Sequence, residues 1–292
     1  MDGMVIVRLK GGIGNQMFQF ACARAVALYR QQELFLDLVY LNRNPLNFVH
    51  RDFKLQRLTD FQIADDNTLK YFDSLYVAGN AAYITDDFPK QSYLELLNFE
   101  PIEGILLDGY FQDEFYLLNY IEVIKKEFNS FLKYYLNKGP ITFIENSANT
   151  VSIHLRRQDY MLPDVLEVLG ICESLYYDKA MAIMKTLVDH PQYYIFSDDP
   201  ALAEEYFQDI YDEKINISQL MKKTNLRDSD IIELAMMTQC KHHILANSSY
   251  SWWGAYLSDS NSKQIIAPRK WFQDEKLSHL SDAIVLDSWL KI

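Results

Sequence analysis

The sequence predicts an α/β protein made of two doubly wound halves, and three observations carry that expectation. The chain opens strand–helix–strand, which implies a parallel sheet with a right-handed crossover. Its second half alternates short apolar strands with helices. Its 292 residues are enough for about two domains at roughly 150 residues each.

In chain order, Val5-Ile6-Val7-Arg8-Leu9 is a β-branched run that stops at Gly11-Gly12 and reads as a strand. From Asn15 to about Arg30 the apolar spacing turns helical, with Met17, Ala21, Ala25 and Leu28 on one stripe. Leu34–Leu38 reads as the second strand. Residues 42–110 give no clean pattern; aromatic and acidic residues interleave there, and Pro45, Pro89 and Pro101 punctuate them. Residues 114–136 carry a wide apolar stripe (Leu117, Leu118, Ile121, Ile124, Phe128, Phe131, Leu132) and read as helix. Asn137-Lys138-Gly139-Pro140 and the polar run Asn146–Thr150 then suggest a boundary, giving domains 1–149 and 150–292.

Beyond it, strands are expected at 151–155, 193–196, 243–246 and 264–267. Helices are expected at 174–189, 201–208 and 228–239 and from Ser249 on, with Asp228 or Ser229 as an N-cap.

Composition narrows the function classes. A 49% hydrophobic and 23% charged chain is globular, which excludes disordered, collagenous and small disulfide-stapled classes. The net charge of −12 is spread over both halves, so no basic footprint for nucleic acid or for an anionic membrane exists. Cys22, Cys172 and Cys240 are odd in number and lack C-x-x-C spacing, as expected of a reduced cytosolic chain without a zinc knuckle. The start, Met1-Asp2-Gly3-Met4, has no signal-peptide pattern, and no apolar run reaches membrane-spanning length. The expected location is cytoplasmic, with at most weak peripheral contact at the inner face of a membrane.

Ligands of doubly wound sheets lie outside the carboxyl ends of the strands, which singles out four segments. Gly11-Gly12-Ile13-Gly14-Asn15-Gln16 holds three of the chain's 10 glycines. It suits a tight strand-to-helix turn that admits a ligand to backbone N–H groups. It also half-matches a dinucleotide fingerprint, with Asp37 downstream but Met17 in place of the third glycine.

His154-Leu155-Arg156-Arg157-Gln158-Asp159-Tyr160 places two guanidiniums at a strand end. Arginine grips a polyanion bidentately. Strand alternation points the two to opposite faces, so that one meets ligand and the other pairs with Asp159. Ser197-Asp198-Asp199 offers hydroxyl and carboxylates for a ribose or base edge, or for capping the next helix. Asn247-Ser248-Ser249-Tyr250-Ser251-Trp252-Trp253-Gly254 puts hydroxyls and N–H groups at a helix N-terminus, an anion site, with its tryptophans half core and half cleft wall.

Read together, and in this order and spacing, these four motifs resemble the α-1,2-fucosyltransferases of glycosyltransferase family eleven, over essentially the whole chain. The resemblance implies a GT-B architecture, two Rossmann-like domains facing a cleft, with the acceptor on the N-terminal side. It also implies metal-independent, inverting transfer of L-fucose from GDP-β-L-fucose to the 2-hydroxyl of a terminal β-galactose on an oligosaccharide or lipid-linked glycan. No cofactor is implied.

By the same resemblance, Arg156 or Arg157 contacts the pyrophosphate, Ser197, Asp198 and Asp199 face guanine and ribose, and Ser248 and Ser249 face phosphate. Gly12, Gly14, Asn15, Gln16, His154, Asn247 and Trp252 complete the expected donor set. Arg156, Arg157, His154, Asp159 and Asn15 are the expected catalytic residues, with His154 and Asp159 as candidates for general base. His154 has base stacking or a structural role as alternatives. The family has glycine where Gln158 stands and leucine where Ile13 stands.

Two other classes remain at this level. An NAD(P)-dependent oxidoreductase would use the glycine turn and Asp37, but gives the Arg pair no task. A sugar-binding module fits an aromatic share of 14% and predicts glycan affinity without turnover.

Overall fold

The computed structural model describes residues 3–42, 51–99, 102–138, 148–224, 226–260 and 262–292. Met1, Asp2, Pro45, Pro101, Gly139, Pro140, Asn146 and Ser147 lie outside them. The chain divides into two compact units, Met1–Phe128 and Asn129–Ile292, and the division falls inside the helix Ile121–Leu136.

The first unit runs β1 (Met4–Arg8), α1 (Ile13–Arg30), β2 (Glu33–Asp37), α2 (Val39–Asn42), β3 (Gln62–Ile63), α3 (Asp66–Val77), β4 (Ala81–Thr85), α4 (Lys90–Leu97), β5 (Gly104–Asp108) and a 3-10 turn, Glu114–Tyr120. Its sheet is parallel throughout, in the order β3-β2-β1-β5-β4. The segment without a legible pattern thus supplies three of the five strands. Met4, Ile6, Phe35, Phe72, Leu75 and Leu106 form one core cluster of this unit. Asp65 caps α3 by accepting the Thr68 N–H.

From α5 (Ile121–Leu136) the chain continues through β6 (Thr150–Leu155), α6 (Pro163–Leu169), α7 (Ser174–Leu187), β7 (Gln192–Ser197), α8 (Pro200–Tyr206), β8 (Lys214–Asn216), α9 (Ile217–Lys222), α10 (Ser229–Met237), β9 (His242–Ile244), α11 (Ser249–Tyr256), β10 (Ile265–Ala267), α12 (Ser278–Ile284) and β11 (Leu290–Lys291). The second sheet is parallel too, in the order β11-β10-β9-β6-β7-β8. Val151, Ile153, Tyr193 and Ile195 meet Tyr177, Ala180 and Met184 of α7 in its core.

Two parallel α/β units match the expected fold class. Each sheet reverses strand order around its first strand: β1 lies between β2 and β5, and β6 between β7 and β9. Ligand chemistry in such sheets concentrates at the carboxyl ends beside that strand. Cys22, Cys172 and Cys240 are all buried and unbridged. No helix among the described residues is long and apolar enough to cross a membrane.

Candidate functional site

At the end of β6 the two arginines part company. Arg157 is 5% exposed and serves the protein's own backbone. Its Nη1 donates to the Arg156 carbonyl at 2.8 Å and its Nη2 to the Cys172 carbonyl at 2.7 Å. Arg156 keeps a side chain 20% exposed and faces carboxylates: it pairs with Asp159, and its Nη1 lies 3.0 Å from Asp198 Oδ2. The expected division into one ligand-facing and one structural arginine therefore takes a different form. Asp159 partners Arg156, and Arg157 has carbonyls in place of a carboxylate. The physical reason is that β6 stops at Leu155 and Arg157 sits at φ −136°, ψ −84°, so strand alternation no longer applies.

Asp198, just past β7, ties this segment to the next strand. Its Oδ1 accepts the Arg157 N–H at 2.8 Å. Desolvation raises its pKa, against the opposing pull of Arg156. Gln158 donates its side-chain N–H to the Asp198 carbonyl, so the glutamine at the family's glycine position fastens the loop. Residue 158 has no positive φ, and its backbone does not require glycine. Ser197 Oγ accepts the Asp199 N–H at 3.0 Å, and Asp199 caps α8 through the Leu202 N–H at 3.1 Å. The capping alternative thus describes what Asp199 does in this structure.

His154 is buried, and burial followed by the nearby Arg156 and Arg157 charges lowers its pKa to about 3. The ring is a neutral hydrogen-bonding group at neutral pH and a very weak proton acceptor. It lies against the Tyr250 ring, with centroids 5.3 Å apart. Its Nδ1, Arg156 Nε and Asp198 Oδ2 are buried without a hydrogen-bond partner. Asp198 Oδ2 is close to Arg156 Nη1 but outside hydrogen-bonding geometry. Buried polar atoms are nearly always satisfied in folded proteins, so three orphans in one charged cluster point to a ligand.

The turn after β9 adds the N-terminus of α11. Ser248 is its N-cap and accepts the Tyr250 N–H, while partly exposed Ser249 opens the helix. Asn247 and Trp252, both expected at the donor, are buried and bonded to backbone carbonyls of the protein. Asn247 Nδ2 donates to the carbonyls of Leu169, Gly170 and Trp271, which fastens the neighbouring loops. Trp252 and Trp253 are 0% exposed, and the Trp252 indole N–H donates to the Ile284 carbonyl at 2.7 Å. Every face of α11 is packed, so the expected cleft wall is core.

In the first unit, Gly12 is the N-cap of α1, and a Cβ built on it would meet nothing within 4 Å. Gly11 adopts φ +79°, which favours glycine. Gly14 lies inside α1 and is buried. Gln16 is 0% exposed: its Nε2 donates to the Gly11 and Asp52 carbonyls and its Oε1 accepts the Lys54 N–H. It clamps a loop onto the glycine turn. Asn15 Oδ1 accepts from Gln112 Nε2 at 2.8 Å. Asp37 pairs with Arg8 at 3.0 Å and accepts the Val39 N–H, so both carboxylate oxygens are engaged, against a ribose role in a dinucleotide site.

Sequence reasoning missed Tyr160, Ser218, Glu233 and Tyr250. Tyr160 lies under Arg156, with the guanidinium carbon 5.2 Å from the ring centroid, and donates its O–H to the Asn247 carbonyl. Tyr250 donates to the Asp230 carbonyl at 2.6 Å. Tyr160 and Tyr250 stood inside quoted motifs; Glu233 reads as one more acid on an amphipathic helix. No cluster of three or more metal-ligating side chains occurs among the described residues.

Comparison with known proteins follows the same lines. The family model for glycosyl transferase family 11 matches residues 1–292. An Escherichia coli α-1,2-colitosyltransferase is 27% identical, covering 99% of this chain and 99% of its own. The E. coli O-antigen biosynthesis glycosyltransferase WbnK is 29% identical, over 97% of this chain and 99% of its own. A mouse galactoside 2-α-L-fucosyltransferase, Sec1, is 23% identical, over 89% of this chain and 66% of its own. Among solved structures, NodZ α-1,6-fucosyltransferase soaked with GDP-fucose shares the fold at a TM-score of 0.51 and 13% identity, over 88% of this chain and 93% of that one.

Proposed function

The chain belongs to glycosyltransferase family 11, and on that premise we propose that it transfers L-fucose from GDP-β-L-fucose, with inversion and without a metal, to the 2-hydroxyl of a terminal β-galactose. The observation that carries the donor half is the orphaned trio at the ends of β6 and β7: His154 Nδ1, Arg156 Nε and Asp198 Oδ2. A diphosphate arriving there exchanges with Asp159 for the Arg156 guanidinium and takes N–H groups from the start of α11. As the glycosidic bond breaks, charge grows on the leaving diphosphate. Fixed donors then stabilise the transition state more than the ground state. Neutral His154 holds the donor by hydrogen bonding, and Arg157 holds the loop that carries Arg156.

A second reading of the sugar comes from the colitosyltransferase relative. Colitose is L-fucose without its 3-hydroxyl. A site that hydrogen-bonds that hydroxyl rejects the analogue strongly, whereas a site lined by apolar groups does not.

The test is GDP release from GDP-fucose and GDP-colitose with lactose, Gal-β-1,3-GlcNAc and Gal-β-1,3-GalNAc, each with and without EDTA. Turnover with GDP-fucose that survives EDTA supports the proposal. Turnover with GDP-colitose alone moves the assignment to the second reading. Loss in EDTA with rescue by Mg²⁺ or Mn²⁺ recasts Asp198 and Asp199 as metal ligands.

A further inference from the structure

Glu233 stands in the second turn of α10, and its Oε2 accepts the hydroxyl of Ser218. Ser218 is the second residue of α9, directly after β8, and its Oγ accepts the Ser197 N–H at 2.8 Å, at the end of β7. This chain of bonds suspends the carboxylate over the carboxyl ends of β7 and β8. Its other oxygen, Oε1, has no hydrogen-bond partner and the group has no cation partner among the described residues. Burial, with Asp230 close by, pushes the carboxyl up to about 7. Ser218 donates to one oxygen of this acid, and a second donor at the other oxygen would offset more of the cost of its burial.

The sheet order says where a donor for Glu233 would come from. The anion-binding groups lie at β6 and at the α11 start that follows β9, on either side of the strand-order reversal. A nucleotide anchored there by its phosphates has two ways to run, toward β10 or toward β7 and β8. Toward β10 stand Arg269 and Lys270, which can only donate; toward β7 lie the groups able to accept from a base, Asp198, Ser197, Ser218 and then Glu233. The path ends at a carboxylate that can only accept.

On the reading of this unit as the nucleotide-sugar donor site, we propose that the Glu233 carboxylate accepts the N1–H and 2-amino hydrogens of a guanine ring, and so selects guanine nucleotides. Guanine presents two donors side by side on that edge. Adenine presents an acceptor at N1, which a carboxylate repels, and hypoxanthine lacks the 2-amino donor. Ser218 fixes the carboxylate, and the Tyr250 ring between His154 and α10 walls the space. Glu233 acts on base recognition alone, since it lies toward β8, away from the phosphate-binding end where the sugar bond breaks.

The test is calorimetric titration of the full chain with GDP, IDP and ADP. Wild-type protein is expected to prefer GDP over IDP by about tenfold or more and to bind ADP more weakly still. Glu233→Gln keeps an acceptor for Ser218 but offers guanine an amide, and its GDP affinity is expected to fall about 10- to 100-fold while the GDP-to-IDP preference closes toward one. Glu233→Asp, which retains the charge but draws it back, is expected to lie between them, with melting temperatures confirming that both variants fold. A GDP-to-IDP preference unchanged in both variants, or absent from wild type, overturns the proposal. A wild-type protein that binds none of the three overturns the donor-site reading itself.

Discussion

The two sheets present contrasting carboxyl ends. In the first unit the charged groups there satisfy one another. Arg8 spans Asp37 at 3.0 Å and Asp108 at 3.2 Å, Lys10 reaches Asp108 at 3.1 Å, and Tyr83 donates to Asp108 at 2.5 Å. In the second unit the equivalent ends hold a similar inventory of arginine, carboxylate and aromatic ring, yet His154, Arg156 and Asp198 keep buried atoms without hydrogen bonds, and partly buried Glu233 is held through one oxygen by Ser218. Similar topology and similar residue types thus give one end whose charged groups pair with one another, with Gln19 Nε2 as its one buried unpartnered atom among the described residues, and another end with three such atoms in a charged cluster. Saturation makes structure, and unsaturation leaves hydrogen-bonding capacity for a ligand.

The largest expected effect tests that contrast at Arg156. Arg156→Ala should cut turnover about 100- to 1000-fold, as removal of a transition-state donor does, and should weaken GDP binding in the same titration. Arg156→Lys should restore little, because a point charge does not reproduce the fork. Near-normal turnover in the Ala variant breaks the assignment of an unsaturated end to the donor.

Arg157→Ala should fail differently. It strands the buried Cys172 and Arg156 carbonyls, and should cost about 2–3 kcal/mol of stability, read as a lower melting temperature, with activity falling through loss of fold. A variant that melts normally but no longer binds GDP exchanges the roles of the two arginines.

Glu233 sharpens the comparison through pH. Its folded pKa, about 7, stands above the usual 4.5 for glutamate. The native state therefore holds a proton that the unfolded state has released between those values, and stability drops as pH rises across that window. Glu233→Gln lacks this dependence. Relative to wild type it should gain stability from about pH 4.5 to 7, by on the order of 3 kcal/mol at most. Urea melts of both proteins across the window measure it, and parallel curves contradict the unsaturated state of this acid.

The saturated end should behave as structure alone. Arg8→Met leaves Asp37, which is 2% exposed, short of a partner and should cost about 1–2 kcal/mol of stability while leaving GDP affinity within twofold. A large loss of GDP affinity there dissolves the contrast.

Much of the fold, and the strand ends that carry the motifs, could be read in the sequence, because their cues are local. Strands β1, β2 and β7 carry continuous apolar runs, as buried parallel strands commonly do, and β6 alternates Val151, Ile153 and Leu155 with polar residues. All four strand-end motifs fall at strand ends. The strands β3, β4 and β5 were hidden for physical reasons. β3 has two residues, both exposed; β4 pairs on one side only and is half exposed; and the run Gly104–Asp108 follows Glu100, Pro101 and Glu103 and a short helix, α4, with no marked apolar stripe.

Within the site, motif positions were legible but side-chain duties were not. Nothing local says that Asn247 spends its amide on three distant carbonyls, or that α11 is packed on every face and hides Trp252. Glu233 becomes visible only when α10 is folded against the end of β8, since its partner Ser218 lies 15 residues away in sequence.

Amide hydrogen exchange with and without saturating GDP reports both sheet ends in one experiment and so asks which of them holds the nucleotide. Slowed exchange is expected at 154–160, 197–199 and 247–251, with no matching change at 35–38 and 106–108. Protection centred on 35–38 and 106–108, or none at 154–160, contradicts the donor-site reading.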